Sequence, residues 1–160
     1  MRSIVVTLVA ALAIASPDVV AHEELGTAKI DYSKARETPY GKPADPARAD
    51  RTVEIEMSDA MRYTPALVEV RRGERVRFVA RNMGQLMHEM VIGRLTELKE
   101  HAEMMRKHPD MHHDEPNMLH VAPGSTGEMG WQFTRSGEFH YGCLVPGHFE
   151  AGMVGKVIVR

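Results

Sequence analysis

Alternating apolar and polar residues mark the strands of this chain. In the segment 52–57 every second residue is apolar, which is the period of a strand with one buried face. The same alternation precedes and follows the turn Arg72-Gly73-Glu74, and it predicts a β-hairpin there. Four further strands are predicted, at 89–92, 128–134, 138–143 and 154–159. Together these segments predict an all-β domain, a small antiparallel sandwich.

The segment 96–108 departs from this pattern. Leu95, Leu98, Ala102 and Met105 follow helical spacing with charged residues between them, and Pro109 ends the run. We therefore expect one helix inserted between two strands.

The N-terminal part of the chain contains no such periodicity. Residues 1–21 combine Met1-Arg2, a short apolar run and the small-residue site Val19-Val20-Ala21, which predicts a secretory signal peptide. An uncleaved anchor is the alternative, although the run is short for a membrane span. Residues 22–50 are polar and contain prolines, which predicts an extended arm before a domain at 51–160. The expected location is periplasmic, with no membrane insertion after signal cleavage.

Charge and cysteine content narrow the function. The chain has 20 Lys and Arg, 22 Asp and Glu, and a formal net charge of −2. It lacks a basic tract for nucleic acid and a cationic amphipathic helix for lipid. Cys143 is the single cysteine, so no disulfide forms within the chain. Metal ligation is one way to protect such a thiol in an oxidising compartment.

A metal-binding pattern surrounds this cysteine. Cys143, His148 and Met153 follow one another at five-residue intervals in a glycine-rich loop. A thiolate, an imidazole and a thioether suit copper, and a blue-copper centre needs a second imidazole, for which His88 is the best candidate. An inert thiol and a zinc ligand are alternatives, but neither accounts for the methionine, and a Cys/His nucleophilic pair is a further alternative.

Strand parity orients the residues around the predicted site. In 138–143, Phe139, Tyr141 and Cys143 share one face, and His140 lies on the other. We expect Cys143 to point inward at a strand end and His140 to be a surface histidine rather than a ligand.

The remote His88 and the closing Cys143, His148 and Met153 resemble the cupredoxins, the plastocyanin and azurin family of single-domain blue copper proteins. The resemblance covers roughly 51–160 and implies a Greek-key sandwich. It implies His88 and His148 as imidazole ligands, Cys143 as the thiolate and Met153 as the weak axial ligand. The loop spacing is similar to rusticyanin-like and auracyanin-like members, and the exported domain with its insert resembles CopI-type periplasmic cupredoxins of bacterial copper tolerance.

One position departs from the family pattern. Plastocyanin and azurin place an asparagine after the first histidine, whereas this chain has Glu89. The hydrogen bond that steadies the cysteine is then absent or comes from another group such as Asn82.

Histidines and methionines also crowd the insert at 93–122. Thioethers and imidazoles together suit copper, so we expect a second, weaker copper site, with Met111, His112 and His113 as its members. The alternative is that the methionines pack the helix and the histidines are solvated. His22 is a weaker candidate because its chelating amine depends on the cleavage point.

Two functions follow from this site chemistry. The first is periplasmic copper handling and tolerance with a redox-active centre, and the second is electron transfer in a respiratory or photosynthetic chain. The partners are the copper ion and a periplasmic redox or copper-transfer protein. An enzyme is disfavoured because four protein ligands leave no open position for a substrate.

Overall fold

The computed structural model describes residues 31–109, 111 and 113–160. The predicted signal peptide, His22 and His112 lie outside these residues. Within the described part of the chain, no helix is long and apolar enough to cross a membrane.

The described residues form ten strands, one α-helix and two short 3-10 helices. The strands are β1 Lys42–Ala44, β2 Arg51–Ser58, β3 Arg62–Thr64, β4 Leu67–Val70, β5 Arg75–Asn82, β6 His88–Gly93, β7 Met118–Val121, β8 Thr126–Gln132, β9 Gly137–Gly142 and β10 Val154–Val159. The α-helix, α1, spans Leu95–Lys107, and the 3-10 helices span Tyr32–Lys34 and Pro46–Arg48.

The strands form two five-stranded sheets. The first has the order β1-β8-β5-β2-β3, and the second has the order β4-β10-β9-β6-β7. Each sheet turns one face toward a shared core, in which Phe78, Trp131, Phe133 and Tyr141 are among the largest buried side chains. The predicted all-β sandwich with one inserted helix is confirmed.

Two details of strand pairing differ from the prediction. The segments on either side of Gly73 are not a hairpin, because β4 belongs to the second sheet and β5 to the first. The turn instead carries the chain between sheets, with Gly73 at φ 87°. The sheets are also mixed rather than purely antiparallel, since β2 runs parallel to β5 and β4 parallel to β10. Alternation identifies which face of a strand is buried. Because both sheets turn their buried faces to the same core, alternation does not show which strands pair with each other.

The segment expected to be an arm contributes a strand to the sandwich. Strand β1 pairs antiparallel with β8 and forms the edge of the first sheet. Just before β1, the ring of Tyr40 stacks on the ring of Trp131, with 5.6 Å between ring centroids. The main-chain carbonyl of Tyr40 accepts a hydrogen bond from the indole Nε1 of Trp131 at 3.1 Å. Order therefore begins before Arg51, the expected start. A three-residue strand containing Pro43 is too short to show a periodic pattern.

Helix α1 covers the outer face of the second sheet. Its Leu98, Ala102 and Met105 pack with Val91, Met118 and Leu144 in a smaller apolar cluster, separate from the main core. The predicted helix, 96–108, differs from the observed one by a single residue at each end. The insert thus lies against the strand that begins with His88.

Candidate metal centre

Three of the four predicted ligands converge at one end of the sandwich. The donor atoms of His88, Cys143 and His148 all lie within 4.8 Å of one another. Cys143 Sγ is 3.3 Å from His148 Nδ1, and the two imidazole rings are 5.1 Å apart between centroids. His88 and Cys143 are fully buried. This arrangement gathers one thiol and two imidazoles in a space that a single ion can fill.

Adjacent strands bring the remote histidine to the cysteine. His88 begins β6 and Cys143 directly follows β9, and these antiparallel neighbours place the start of one beside the end of the other, with Val91 opposite Gly142. His88 faces inward with Met90 and Ile92, which belong to the main core. Cys143 lies in the same core cluster, as strand parity predicted.

Backbone hydrogen bonds fold the closing loop onto itself. Cys143 N donates to Met153 O at 3.1 Å, and Met153 N donates to His148 O at 3.0 Å. Gly147 and Gly152 adopt φ values of 88° and 92°, which favour glycine over other residues. Met153 is fully buried in the same apolar cluster as Cys143. The loop therefore ties all three of its candidate ligands together through their main chains.

The imidazole of His88 is fixed from the side opposite the centre. Its Nε2 lies 3.1 Å from Asp59 Oδ1, whereas its buried Nδ1 has no hydrogen-bond partner among the described residues. A buried nitrogen without a partner is costly, and a metal ion would satisfy it. A carboxylate behind a metal-binding histidine sets its tautomer and orientation.

Asp59 is held in place by the loop before His88, and sequence reasoning missed it. It accepts hydrogen bonds from Gln85 N at 2.7 Å and Leu86 N at 3.3 Å. The bond from Gln85, together with those from Leu86 and His88, lowers the pKa of the Asp59 carboxyl. Asp59 lies in the turn after β2, and nothing in the sequence around it indicates that its side chain contacts His88, 29 residues later.

The main chain of Glu89 supplies the hydrogen bond to the cysteine. Glu89 N donates to Cys143 Sγ at 3.3 Å, and Glu89 O accepts from the buried Tyr63 hydroxyl at 2.5 Å. The bond therefore does not depend on the residue type at this position. The suggestion that Asn82 supplies it is wrong, because the Asn82 amide donates to Leu86 O and Val121 O. Asn82 thus anchors the loop before His88.

Comparison with known proteins assigns the metal. Residues 49–160 match the family described as copper binding proteins, plastocyanin/azurin family. The chain belongs to this family. Its fold class and its copper cofactor are therefore those expected for a cupredoxin.

Relatives and solved structures agree with this assignment. The chain is 54% identical over 124 residues to the copper-resistant cuproprotein CopI of Rubrivivax gelatinosus, covering 78% of this chain and 75% of that protein. It is 33% identical over 162 residues to the protein of the same name from Pseudomonas aeruginosa, covering 83% and 89%. The structure of auracyanin B matches with a TM-score of 0.62 at 19% identity, covering 76% of this chain and 96% of that one, and shows the fold alone.

Burial sets the protonation of this cupredoxin's candidate ligands. Removal from water raises the pKa of the Cys143 thiol to about 12. Burial, together with the neighbouring His88, lowers the pKa of His148. In the metal-free protein the thiol is therefore protonated and His148 is neutral at pH 7. Copper must displace the thiol proton to gain a thiolate ligand.

His140 lies on the opposite face of β9 from the centre, as predicted, but it is not a surface residue. It is 7% exposed, and its Nε2 is 3.5 Å from Glu138 Oε1. Burial lowers the pKa of His140. Strand parity identified the face, but it did not show that the outer face of this sheet is covered.

The structure places two of the three residues predicted for a second copper site, Met111 and His113, in one groove. His113 lies beside His101, with 4.7 Å between ring centroids, and Met111 lines the same groove. His112 and His22 lie outside the described residues, so their predicted roles stay predictions. His101 and Met104 were not among the members named from the sequence.

Proposed function

We propose that this cupredoxin binds one redox-active copper ion through His88, Cys143, His148 and Met153, and that it serves copper tolerance in the periplasm. The observation that supports this most directly is the buried cluster of one thiol and two imidazoles within 4.8 Å. The buried Nδ1 of His88 has no hydrogen-bond partner among the residues that the structure describes, and a copper ion would supply one.

The chain's own residues would prepare this centre. Asp59 and the Glu89 main chain hold His88 and Cys143, and the bonds within the closing loop hold His148 and Met153. Copper bound there supplies one-electron chemistry. Because the donors are held before the ion binds, little rearrangement accompanies a change of oxidation state. Four protein donors also leave no position for a substrate, so we infer binding and electron exchange rather than enzymatic turnover.

The proposed role in copper tolerance and the proposed periplasmic location are supported by different observations. Relatives at 54% and 33% identity carry the name copper-resistant cuproprotein. The predicted signal peptide at 1–21 supports export to the periplasm. We infer that the bound copper serves protection of the cell from excess copper in that compartment.

Visible absorption tests the centre itself. The purified cupric protein should show an intense thiolate-to-copper band, and Cys143→Ser should abolish it because no other cysteine can replace the thiolate. His88→Ala should weaken copper binding, whereas Met153→Leu should leave a coloured site of altered potential. His140→Ala serves as the control. A colourless cupric protein, or a coloured Cys143→Ser variant, would contradict the assignment.

A strain lacking the gene tests the cellular role. It should grow poorly at raised copper concentration, wild-type protein should restore growth, and Cys143→Ser should not. Normal growth in copper would argue against copper tolerance.

Electron transfer to a protein partner is the second candidate function. Met83, Leu86 and Met87 are exposed in the loop that leads into His88. Exposed apolar side chains grouped in this way are typical of a docking surface. A respiratory or photosynthetic defect in the deletion strain, with normal copper tolerance, would favour this function.

A further inference from the structure

The main chain of Glu89 lies where the pairing of β6 with β9 ends. The last pair of these two strands on that side is Val91 with Gly142. Beyond this pair, two side chains bond the main chain of Glu89. Its N–H donates to Cys143 Sγ at 3.3 Å, and its carbonyl oxygen accepts from the Tyr63 hydroxyl at 2.5 Å. The hydrogen bond to the cysteine therefore comes from a residue that a tyrosine holds from its other end.

Tyr63 reaches Glu89 across the core of the sandwich. Strand β3, which carries Tyr63, belongs to the first sheet, whereas β6 belongs to the second. Tyr63 is buried, and its ring meets the ring of Tyr141 edge to face, with 5.0 Å between ring centroids and 73° between ring planes. These contacts fix the direction of the hydroxyl. Burial raises the pKa of Tyr63, so the hydroxyl keeps its proton and donates it to the carbonyl.

The side chain of Glu89 points away from the candidate copper centre. Its Oε1 lies 3.1 Å from His120 Nδ1, on the outer side of the second sheet. The asparagine that plastocyanin and azurin place at this position is absent here. Tyr63 instead supplies a side-chain contact to the main chain of this residue from the opposite sheet.

We propose that Tyr63 is the positioning residue for the hydrogen bond to Cys143, and that its hydroxyl thereby tunes the copper centre. The inference rests on the copper-binding function proposed for that centre. A hydrogen bond to the ligand sulfur stabilises negative charge on it, and this charge is greatest in the cuprous state. A firm bond from Glu89 N to Cys143 Sγ therefore raises the reduction potential. Loosening of this bond lowers the potential and shifts the thiolate-to-copper band to longer wavelength.

Removal of a single hydroxyl group tests this role. Tyr63→Phe keeps the ring but leaves the Glu89 carbonyl without its donor. Tyr141→Phe is the matched control, because the Tyr141 hydroxyl also donates to a main-chain carbonyl, that of Pro65, at 2.6 Å. Both variants should unfold at lower urea concentration than wild type, since each loses one comparable hydrogen bond. Only Tyr63→Phe should show a lower reduction potential and a visible band at longer wavelength.

The metal-free protein gives a second readout that does not involve copper. In amide-resolved NMR spectra, the Glu89 amide proton of Tyr63→Phe should move upfield and exchange faster with solvent, because its bond to Cys143 Sγ lengthens. The same proton should keep its wild-type chemical shift in Tyr141→Phe.

These measurements separate the failure of this inference from the failure of the proposed function. A wild-type protein without the visible band would refute the copper centre, and the Glu89 amide would still report whether Tyr63 positions the hydrogen bond to Cys143. A coloured wild type, combined with an unchanged potential, band and Glu89 amide in Tyr63→Phe, would overturn the inference. Equal changes in Tyr63→Phe and Tyr141→Phe would also overturn it, because they would show a general loosening of the core.

Discussion

At the scale of single residues, Asp59 sets the environment of a candidate copper ligand. Its carboxylate contacts His88 Nε2 and is fixed by two backbone N–H groups. A negative charge behind the imidazole stabilises the cupric state relative to the cuprous state. The carboxylate therefore acts as a positioning and tuning group.

Replacement of Asp59 should change the reduction potential. Asp59→Asn removes the charge while keeping the shape, so we expect a higher potential with copper still bound. Asp59→Ala also frees the loop before His88, and we expect copper affinity about 10- to 100-fold lower. Redox titration of the visible band measures the first effect and competition with a chelator the second. Glu54→Gln, on β2 and outside the site, is the matched control. A wild-type potential in Asp59→Asn would show that the contact has no tuning role.

The buried thiol also predicts the pH dependence of the metal-free protein. The pKa of Cys143 is about 12 in the folded state, whereas a thiol in the unfolded chain ionises near about 8.5. Above that pH the unfolded state binds fewer protons, so the free energy of unfolding falls as pH rises. The loss should reach about 1.4 kcal/mol by pH 9.5.

Urea unfolding of the metal-free protein between pH 7.5 and 9.5 measures this loss. Cys143→Ala should show no such decline in that range. At higher pH both proteins should lose stability, because burial also raises the pKa of Tyr63 and Tyr141. Parallel curves for wild type and Cys143→Ala below pH 9.5 would contradict the prediction.

The sequence identified the candidate copper ligands, but it did not identify the residues that surround them. Cys143, His148 and Met153 lie close in the chain, and their types and spacing indicate copper chemistry. Asp59 could not be found because its contact with His88 depends on how the chain folds between them. His140 was misjudged because alternation does not reveal what packs on the outer face of a sheet.

At the scale of elements, periodicity predicted where strands lie but not how they pair. Strands β2 and β10 have the alternation that marks a buried face, and α1 has three buried residues at helical spacing. These signals are local. The parallel pairing of β2 with β5 and the crossing of the chain at Gly73 arise from the assembly of two sheets around one core.

The docking of β1 depends on the absence of a side chain at one position of β8. A Cβ at Gly130 would lie 2.1 Å from Ala44 O, which is part of the backbone and cannot move alone. Gly130→Ala should therefore displace β1 and destabilise the domain by about 1–3 kcal/mol. Thermal unfolding and the fluorescence of Trp131, which contacts Tyr40, would record the change. In Gly127→Ala, on the same strand, the new Cβ would approach side chains rather than backbone, with Val121 Cγ2 nearest at 3.2 Å, so this change should cost less. Equal costs would contradict this account of β1.

At the scale of the whole molecule, the second sheet separates the candidate copper centre from the His101–His113 pair of the insert and also connects them. His88 lies on its inner face, and Glu89 points to the outer face beneath the insert. His120 Nδ1 lies 3.1 Å from Glu89 Oε1, and His120 Nε2 donates to His113 O at 3.2 Å. The hydrogen bond to Glu89 raises the pKa of His120, so both ring nitrogens can donate. The main chain of the same Glu89 donates to Cys143 Sγ.

This connection predicts that a metal ion bound at the insert alters the visible band of the centre at Cys143. Silver(I) resembles the cuprous ion in its preference for soft ligands but cannot reduce cupric copper, so it can fill the copper site that the sequence predicts in the insert without changing the oxidation state at Cys143. One equivalent added to the cupric protein should shift the visible band, because movement of His113 is passed through His120 to Glu89. Glu89→Gln should still bind silver but show a smaller shift, and His101→Ala/His113→Ala should show none. Titration calorimetry would confirm binding in each variant. An undiminished shift of the visible band in Glu89→Gln would exclude Glu89 as the connection. An equal loss of band intensity in wild type and both variants would show instead that silver competes directly for Cys143.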